Sequence, residues 1–363
     1  MIKPVKYIQN LVPYVPGKPV EELERELGIS GAIKLASNEN PLGPSPKAVE
    51  SLHDALSGLN RYPDGDCFYL RDKLAQRLGT EKHNLIFGNG SNEVIEIAAR
   101  TFMKMGDEAI MGEFAFIVYP LVTTALGGVP VISPMPGMIH DLNDMYRRIT
   151  PKTRMIFLAN PNNPTGTIVE KREFERFIED VPEDIMILVD EAYYEYVDDC
   201  NYPNSLEYHS VRNSLITVRT FSKIYGLAGL RLGYGIADSE VISFMNRVRE
   251  PFNVNSLAQK AAFCALDDKQ HVENTKQINQ AGMEYMEKNL SELGIEYYKS
   301  YTNFILVDLG YDPMLLYNSL LRKGVIVRPV KGYGLDTHLR VSIGVDEDNK
   351  RFIKALSDSI SRE

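Results

Sequence analysis

Thiols and clustered cations are both scarce in this sequence, and each scarcity closes off a class of function. The three cysteines, Cys67, Cys200 and Cys264, lie far apart with no C-x-x-C spacing. That excludes a disulfide framework and a thiolate zinc site, leaving buried or incidental thiols. The six histidines are equally scattered, with no H-E-x-x-H or comparable grouping, so no metal is expected. There is no block of Lys or Arg, and 40 basic residues face 49 acidic ones for a net charge of −9. Nucleic acids and anionic membrane surfaces are met by clustered positive charge, so small molecules are the expected partners. No apolar run approaches the ~18 residues of a membrane span. Met1-Ile2-Lys3-Pro4 opens without an apolar signal core, and a cytoplasmic protein is expected.

What is present is length and apolar content. A chain of 363 residues, 44% of them hydrophobic, can bury a large core and form two lobes around one cleft. Residues 1–45 hold Pro4, Pro13, Pro16, Pro19, Pro41 and Pro44 around one amphipathic segment, 20–27. So many prolines rule out a long helix and predict an N-terminal arm that packs against the small domain. Over residues 46–255, short apolar runs at 85–87, 108–111, 129–133, 155–159, 184–189, 215–218 and 232–236 alternate with helical stretches. That alternation predicts an α/β fold: a large domain with a mostly parallel sheet flanked by helices, and ligands outside the strands' carboxyl ends. Over 256–363, helices at 256–266 and 271–293 and strands at 303–309, 325–330 and 339–343 predict a smaller α+β domain. No repeat or flexible linker separates the lobes, so they should pack closely.

Four stretches carry chemistry. Thr217-Val218-Arg219-Thr220-Phe221-Ser222-Lys223, followed by Gly226-Leu227-Ala228-Gly229-Leu230-Arg231, puts a lysine on a turn beside hydroxyls and a guanidinium. A Schiff-base lysine next to a phosphate site needs that arrangement, because the amine must be fixed over one carbon and the dianion needs hydroxyl and guanidinium donors. Gly88-Asn89-Gly90-Ser91-Asn92-Glu93 lies between a strand and a helix, where backbone N–H groups can receive a phosphate; a plain tight connection is the other reading. Asn160-Pro161-Asn162-Asn163-Pro164-Thr165-Gly166 offers amide side chains fixed by two prolines, or simply a turn. Ile187-Leu188-Val189-Asp190-Glu191-Ala192-Tyr193 ends a buried run on a carboxylate that wants a cationic partner. A protonated pyridine nitrogen would serve, as would an ordinary salt bridge. All four fall just past strand ends in one predicted sheet.

Together the motifs N-P-N-N-P-T-G, D-E-A-Y, T-F-S-K and G-L-A-G-L-R-L-G-Y resemble the fold-type-I pyridoxal-phosphate aminotransferases. More narrowly, 13–19, 34–41, Arg61-Tyr62-Pro63-Asp64, 249–255 and 339–344 resemble the histidinol-phosphate aminotransferase branch, so nearly the whole chain takes part. The resemblance implies pyridoxal 5′-phosphate as cofactor, a Schiff base on Lys223, and Asp190 keeping the pyridine nitrogen protonated. It implies Tyr193 and Asn163 on the ring oxygen, Phe116 stacked on the ring, and Ser91, Asn92, Thr220, Ser222 and Arg231 on the phosphate. Tyr62 resembles a tyrosine that reaches the neighbouring subunit's cofactor, which implies a homodimer. Two departures stand out: the family often has Asp where Asn92 stands, and a prolyl start where this chain reads Gly112-Glu113-Phe114-Ala115.

The substrate side rests on Arg340 and Arg328, both in strand-like runs and both able to clamp a carboxylate or phosphate through paired hydrogen bonds. Surface salt bridges are the plainer alternative. By the resemblance, Arg340 takes the carboxylate of glutamate or 2-oxoglutarate, Arg328 the phosphate of histidinol phosphate, and Tyr14 and Asn38 add substrate contacts. The implied reaction is transfer between histidinol phosphate and 2-oxoglutarate. Aromatic amino acids are the second reading, and decarboxylation of a phosphorylated amino acid a third. A pyridoxal-binding regulator would need a DNA-reading module, and no spare basic helix is present.

Overall fold

The computed structural model describes residues 2–9, 11–13 and 16–360. In the arm, helix α1 (Val20–Leu27) starts after an extended Pro19 and ends at Gly28 in the left-handed region, where glycine carries no Cβ penalty. It buries Leu23 against Ala36 and Ile326. Strand β1 (Ile33–Lys34) follows, too short for its pattern to be read from sequence. Helix α2 (Pro46–Ala55) is capped by Ser45, which accepts from the Ala48 N–H, and has proline at its first position. Helix α3 is Phe68–Leu78.

The large sheet is then laid down in alternation. Strand β2 (Leu85–Gly88) leads to α4 (Ser91–Phe102), β3 (Glu108–Gly112) to α5 (Val118–Ala125), and β4 (Val129–Ser133) to the short α6 (Leu142–Arg147). Strand β5 (Thr153–Ala159) leads to α7 (Lys171–Asp180), and β6 (Met186–Asp190) to β7 (Leu215–Thr220). Strand β8 (Gly233–Ala237) is followed by α8 (Ser239–Asn246). The seven strands lie in the order β2-β8-β7-β6-β5-β3-β4. Only β8 runs against its neighbours. Met155, Phe157 and Ala159 face one core and Ile156 and Leu158 the opposite one, so β5 is apolar on both faces, as a strand covered by helices on both sides requires.

Helix α9 (Ser256–Ala265) is followed by the long α10 (Lys269–Glu292). The division expected at residue 256 places α9 with the small domain, but Ala258, Ala261, Ala262 and Leu266 share a core cluster with Ala48, Leu70 and Phe221 of the large one. The helix expected at 256–266 is present as α9; the partner it packs on is not a property of its own periodicity. The small lobe adds β9 (Glu296–Tyr298), β10 (Phe304–Asp308), α11 (Met314–Arg322), β11 (Val325–Ile326), β12 (Arg328–Pro329), β13 (His338–Ser342) and α12 (Asp346–Ile360). Its antiparallel sheet runs β12-β13-β10-β9. The single strand expected at 325–330 divides at Val327, which is buried in the small-lobe core: β11 pairs with β1 of the arm, β12 with β13. Besides β1, three elements are not legible in the sequence: α6, capped by Asp141, α8, capped by Asp238, and β9.

No helix among the described residues is long and apolar enough to cross a membrane. Among those residues no group of His, Cys, Asp and Glu is placed to hold a metal ion.

Candidate active site

Strands β5, β6 and β7 end at Ala159, Asp190 and Thr220, and a cavity of about 430 Å³ opens there. It gathers the residues expected on a phosphate, Ser91, Asn92, Thr220, Ser222 and Arg231, and those expected on a ring, Phe116, Asn163, Asp190 and Tyr193. Lys223 lines it, and Asn38 and Arg340 enter from the small-lobe side. A larger hollow of about 630 Å³, between 136–146 and 298–301, contains none of the residues singled out from the sequence.

The phosphate end is made of backbone. Gly90 precedes α4 with φ of +83°, a conformation that favours glycine, so the first N–H groups of α4 open on the cavity with the positive end of the helix dipole. Asn89 donates its N–H to Glu93 Oε2 at 2.5 Å, which fixes the turn. A Cβ on Gly233 would fall 2.2 Å from the Ser91 nitrogen, and one on Gly90 would fall 2.5 Å from Arg231 Nη2. The two glycines thus let β8, the start of α4 and the Arg231 guanidinium close on one point. Asn92 sits in the first turn of α4, where its backbone is available whatever its side chain.

At the centre, Lys223 Nζ donates to the Asn38 carbonyl at 3.4 Å and lies 5.4 Å from the Tyr193 ring centre. Burial first, and then the Arg340 guanidinium, lower its pKa to about 8, against the opposing pull of Glu39 and Asp190. Neutral amine is therefore available near neutral pH, as a nucleophilic lysine requires. Asp190 is 5% exposed and has no ion pair among the described residues. Oδ2 accepts from the Tyr119 hydroxyl at 2.9 Å and Oδ1 from the Ala192 N–H at 3.2 Å. Burial pushes its carboxyl up to about 6. A buried carboxylate without a cation is costly, and a protonated ring nitrogen would supply one.

The substrate side is tied to the small lobe. Asn38, at φ of +54°, donates Nδ2 to the Tyr193 hydroxyl at 2.9 Å and accepts on Oδ1 from Ser342 at 3.0 Å. Arg340 is 6% exposed; Nη1 donates to Asn163 Oδ1 at 2.5 Å and Nη2 to the Ala36 carbonyl at 2.9 Å. Its Nε is buried without a hydrogen-bond partner, a donor poised for an anion.

Two expected residues do not line the cavity. Tyr62 is 83% exposed and stacks on Phe252 with ring centres 5.0 Å apart. Arg328 stands opposite Arg340 in the β12–β13 register, near Gly17 of the arm. Tyr14 lies outside the described residues. Sequence reasoning missed Tyr119 and Tyr333, which also line the cavity. It also missed the fully buried pair of Arg219 and Glu191, joined at 2.7 Å beneath the β6–β7 ends. Tyr119 stands three residues after the expected ring-stacking Phe116, across the turn that opens α5, and that spacing is its one trace in the sequence.

The family model described as "Aminotransferase class I and II" matches residues 30–356. "Histidinol-phosphate aminotransferase 1" of Nitrosococcus oceani is 48% identical over 96% of this chain and 94% of its own length. "Histidinol-phosphate aminotransferase" of Moorella thermoacetica is 48% identical over 98% of this chain and 92% of its own length. Among solved structures, histidinol-phosphate aminotransferase from Sinorhizobium meliloti in complex with pyridoxal-5′-phosphate superposes with a TM-score of 0.91. It is 25% identical and covers 100% of this chain and 98% of that one.

Proposed function

The chain belongs to the class I and II aminotransferase family, and we propose that it moves an amino group between histidinol phosphate and 2-oxoglutarate, a step of histidine biosynthesis, using pyridoxal phosphate. The observation that carries the cofactor reading is the buried Asp190 carboxylate with no ion pair among the described residues, on the same cavity as Lys223. When bound, the cofactor supplies an electron-withdrawing ring in conjugation with the substrate's α-carbon. The rest is done by the chain. Lys223 would hold the cofactor covalently through its amine and, once displaced by the substrate's amino group, would carry the proton between the substrate's α-carbon and the cofactor's C4′. Asp190 holds the proton on the ring nitrogen, and Tyr193 and Asn163 donate toward the ring oxygen. Phe116 covers the ring. The first turn of α4, with Thr220, Ser222 and Arg231, holds the phosphate.

Substrate choice rests on Arg340 and Arg328. Residues directly opposite in an antiparallel pair present side chains on one face, with Cβ atoms about 5 Å apart. Two arginines in register on β12 and β13 suit a site that meets a phosphate in one half-reaction and a carboxylate in the other. Tyr14 of the arm is assigned to the same substrate by the resemblance. The names of the curated relatives favour the same substrate. The test is Arg328→Ala, assayed with histidinol phosphate and with phenylalanine, each with 2-oxoglutarate. Activity should fall at least about thirtyfold more with histidinol phosphate, the loss of a charged hydrogen bond worth ~2 kcal/mol. Equal losses would remove Arg328 from phosphate recognition, and a wild type that prefers phenylalanine would make this an aromatic aminotransferase.

A homodimer in the cytoplasm is the assembly this reading requires. Tyr62, Phe68, Tyr69 and Phe252 are all at least 48% exposed, an aromatic surface of the kind a second copy covers. Tyr62 then belongs to the partner's cofactor site.

A further inference from the structure

We propose that Tyr119 is the positioning residue for Asp190: its hydroxyl fixes the carboxylate in the orientation that meets the cofactor's ring nitrogen. This rests on the reading that Asp190 holds the proton of that nitrogen. Tyr119 is completely buried in the first turn of α5. Its ring lies flat on Phe157 of β5, with centres 4.9 Å apart and an interplanar angle of 2°, and Phe116 meets it edge-on at 5.9 Å. Held between a strand residue and the expected ring-stacking residue, the phenol has one direction left for its hydroxyl, and there it donates to Asp190 Oδ2 at 2.9 Å.

Each group satisfies a need of the other. A buried phenol wants an acceptor and a buried carboxylate wants donors. With the Ala192 N–H on Oδ1, both carboxylate oxygens are held and the side chain cannot turn away. The choice of donor matters. A lysine or arginine at this position would neutralise Asp190 and compete with a pyridinium for its charge. A phenol orients the charge and leaves it in place. Burial and the adjacent carboxylate raise the Tyr119 pKa well above that of an ordinary tyrosine, so it remains a donor throughout the working range. Lys223 and Glu191 are the charged groups that also act on Asp190, while Tyr193 and Tyr333 act on Tyr119; the Tyr119 hydroxyl and the Ala192 N–H donate to the two carboxylate oxygens.

The experiment is a double-mutant cycle on cofactor affinity, with apoprotein titrated by pyridoxal phosphate. The four proteins are wild type, Tyr119→Phe, Asp190→Asn and the double variant. Tyr119→Phe keeps the stacked ring and removes one oxygen. It should weaken binding about tenfold when Asp190 is present and less than about twofold in the Asp190→Asn background, because neighbours acting through one group are not additive. Equal weakening in both backgrounds would overturn the proposal and reduce Tyr119 to packing. An Asp190→Asn protein that binds the cofactor as tightly as wild type would overturn the underlying reading of Asp190, and this inference with it. A second measurement uses the bound cofactor's absorbance against pH. Tyr119→Phe should move its inflection by about half a unit or more, as a change in the ring's charge requires. An unmoved inflection would count for packing.

Discussion

At the scale of single residues, the site works by withholding ordinary partners from charged groups. Lys223 has a carbonyl where a surface lysine would have water or a carboxylate, and burial with two nearby guanidinium groups brings it to about 8. The chemical consequence has a definite sign. Only the neutral amine attacks a carbonyl carbon, and its fraction rises as pH rises toward and through the pKa. Capture of pyridoxal phosphate by apoprotein should therefore accelerate about tenfold per pH unit below 8 and level off above it. Stopped-flow absorbance over pH 6 to 10 measures this, and a rate still climbing at pH 10 would show an unperturbed lysine. Asp190 shows the same economy with opposite charge: two neutral donors hold it, and the cation is left for the cofactor to bring. Arg219 and Glu191 are the contrast, a buried pair satisfied within itself at 2.7 Å, stacked on Tyr194 and suited to bracing β6 and β7 rather than to chemistry.

At the scale of elements, function depends on how closely backbones approach, and glycine decides that. Gly233 on β8 leaves a Cβ-sized gap filled by the Ser91 nitrogen and the Gly90 carbonyl carbon, both backbone atoms that cannot swing aside. Gly235, two residues on, faces the Val94 side chain instead. Gly233→Ala should push the start of α4 off its position and weaken pyridoxal phosphate binding more than tenfold. Gly235→Ala should cost stability by about 1–3 kcal/mol, as overpacking does, with affinity within about threefold of wild type. Urea melts paired with cofactor titration separate the two; if both variants bind alike, the backbone cradle is not what holds the phosphate. The same element scale explains what could be read from sequence. Strands β5, β6 and β7 are continuous apolar runs that stop at a polar residue, so both their existence and their functional ends were legible. The left-handed Asn38 and the Tyr119–Asp190 bond join residues 155 and 71 positions from their partners. Nothing local in the chain encodes such contacts. Helix α9 shows the related limit: the sequence marked a helix at 256–266, while the lobe it serves is set by its packing with Ala48 of α2 and Leu70 of α3.

At the scale of the whole molecule, the cavity lies at a seam. The large sheet supplies Asp190, Lys223 and the phosphate cradle, while the arm and small lobe supply Asn38 and Arg340, linked through Ser342 and the β1–β11 pairing. Movement of the small lobe would carry Arg340 and Arg328 together, since they are in register on adjacent strands. One expected contributor, Tyr62, is not in this cavity and is 83% exposed on the surface, stacked on Phe252. An aromatic pair so placed is stabilised little by its own chain, and burial against a second copy would recover roughly 1.5–3 kcal/mol for a large side chain. If Tyr62 completes the other subunit's phosphate site, each dimer holds two composite sites, and damage to different halves can be complemented. Tyr62→Ala and Lys223→Ala homodimers should each be nearly inactive. Mixed and allowed to exchange subunits, they should regain about a quarter of wild-type activity. Half of the randomly paired dimers are then mixed, and each mixed dimer has one of its two sites built from undamaged parts. Subunit exchange is followed by mass on differently tagged chains. Exchange without recovered activity would mean that every residue of the site comes from one chain, and that Tyr62 serves the interface alone.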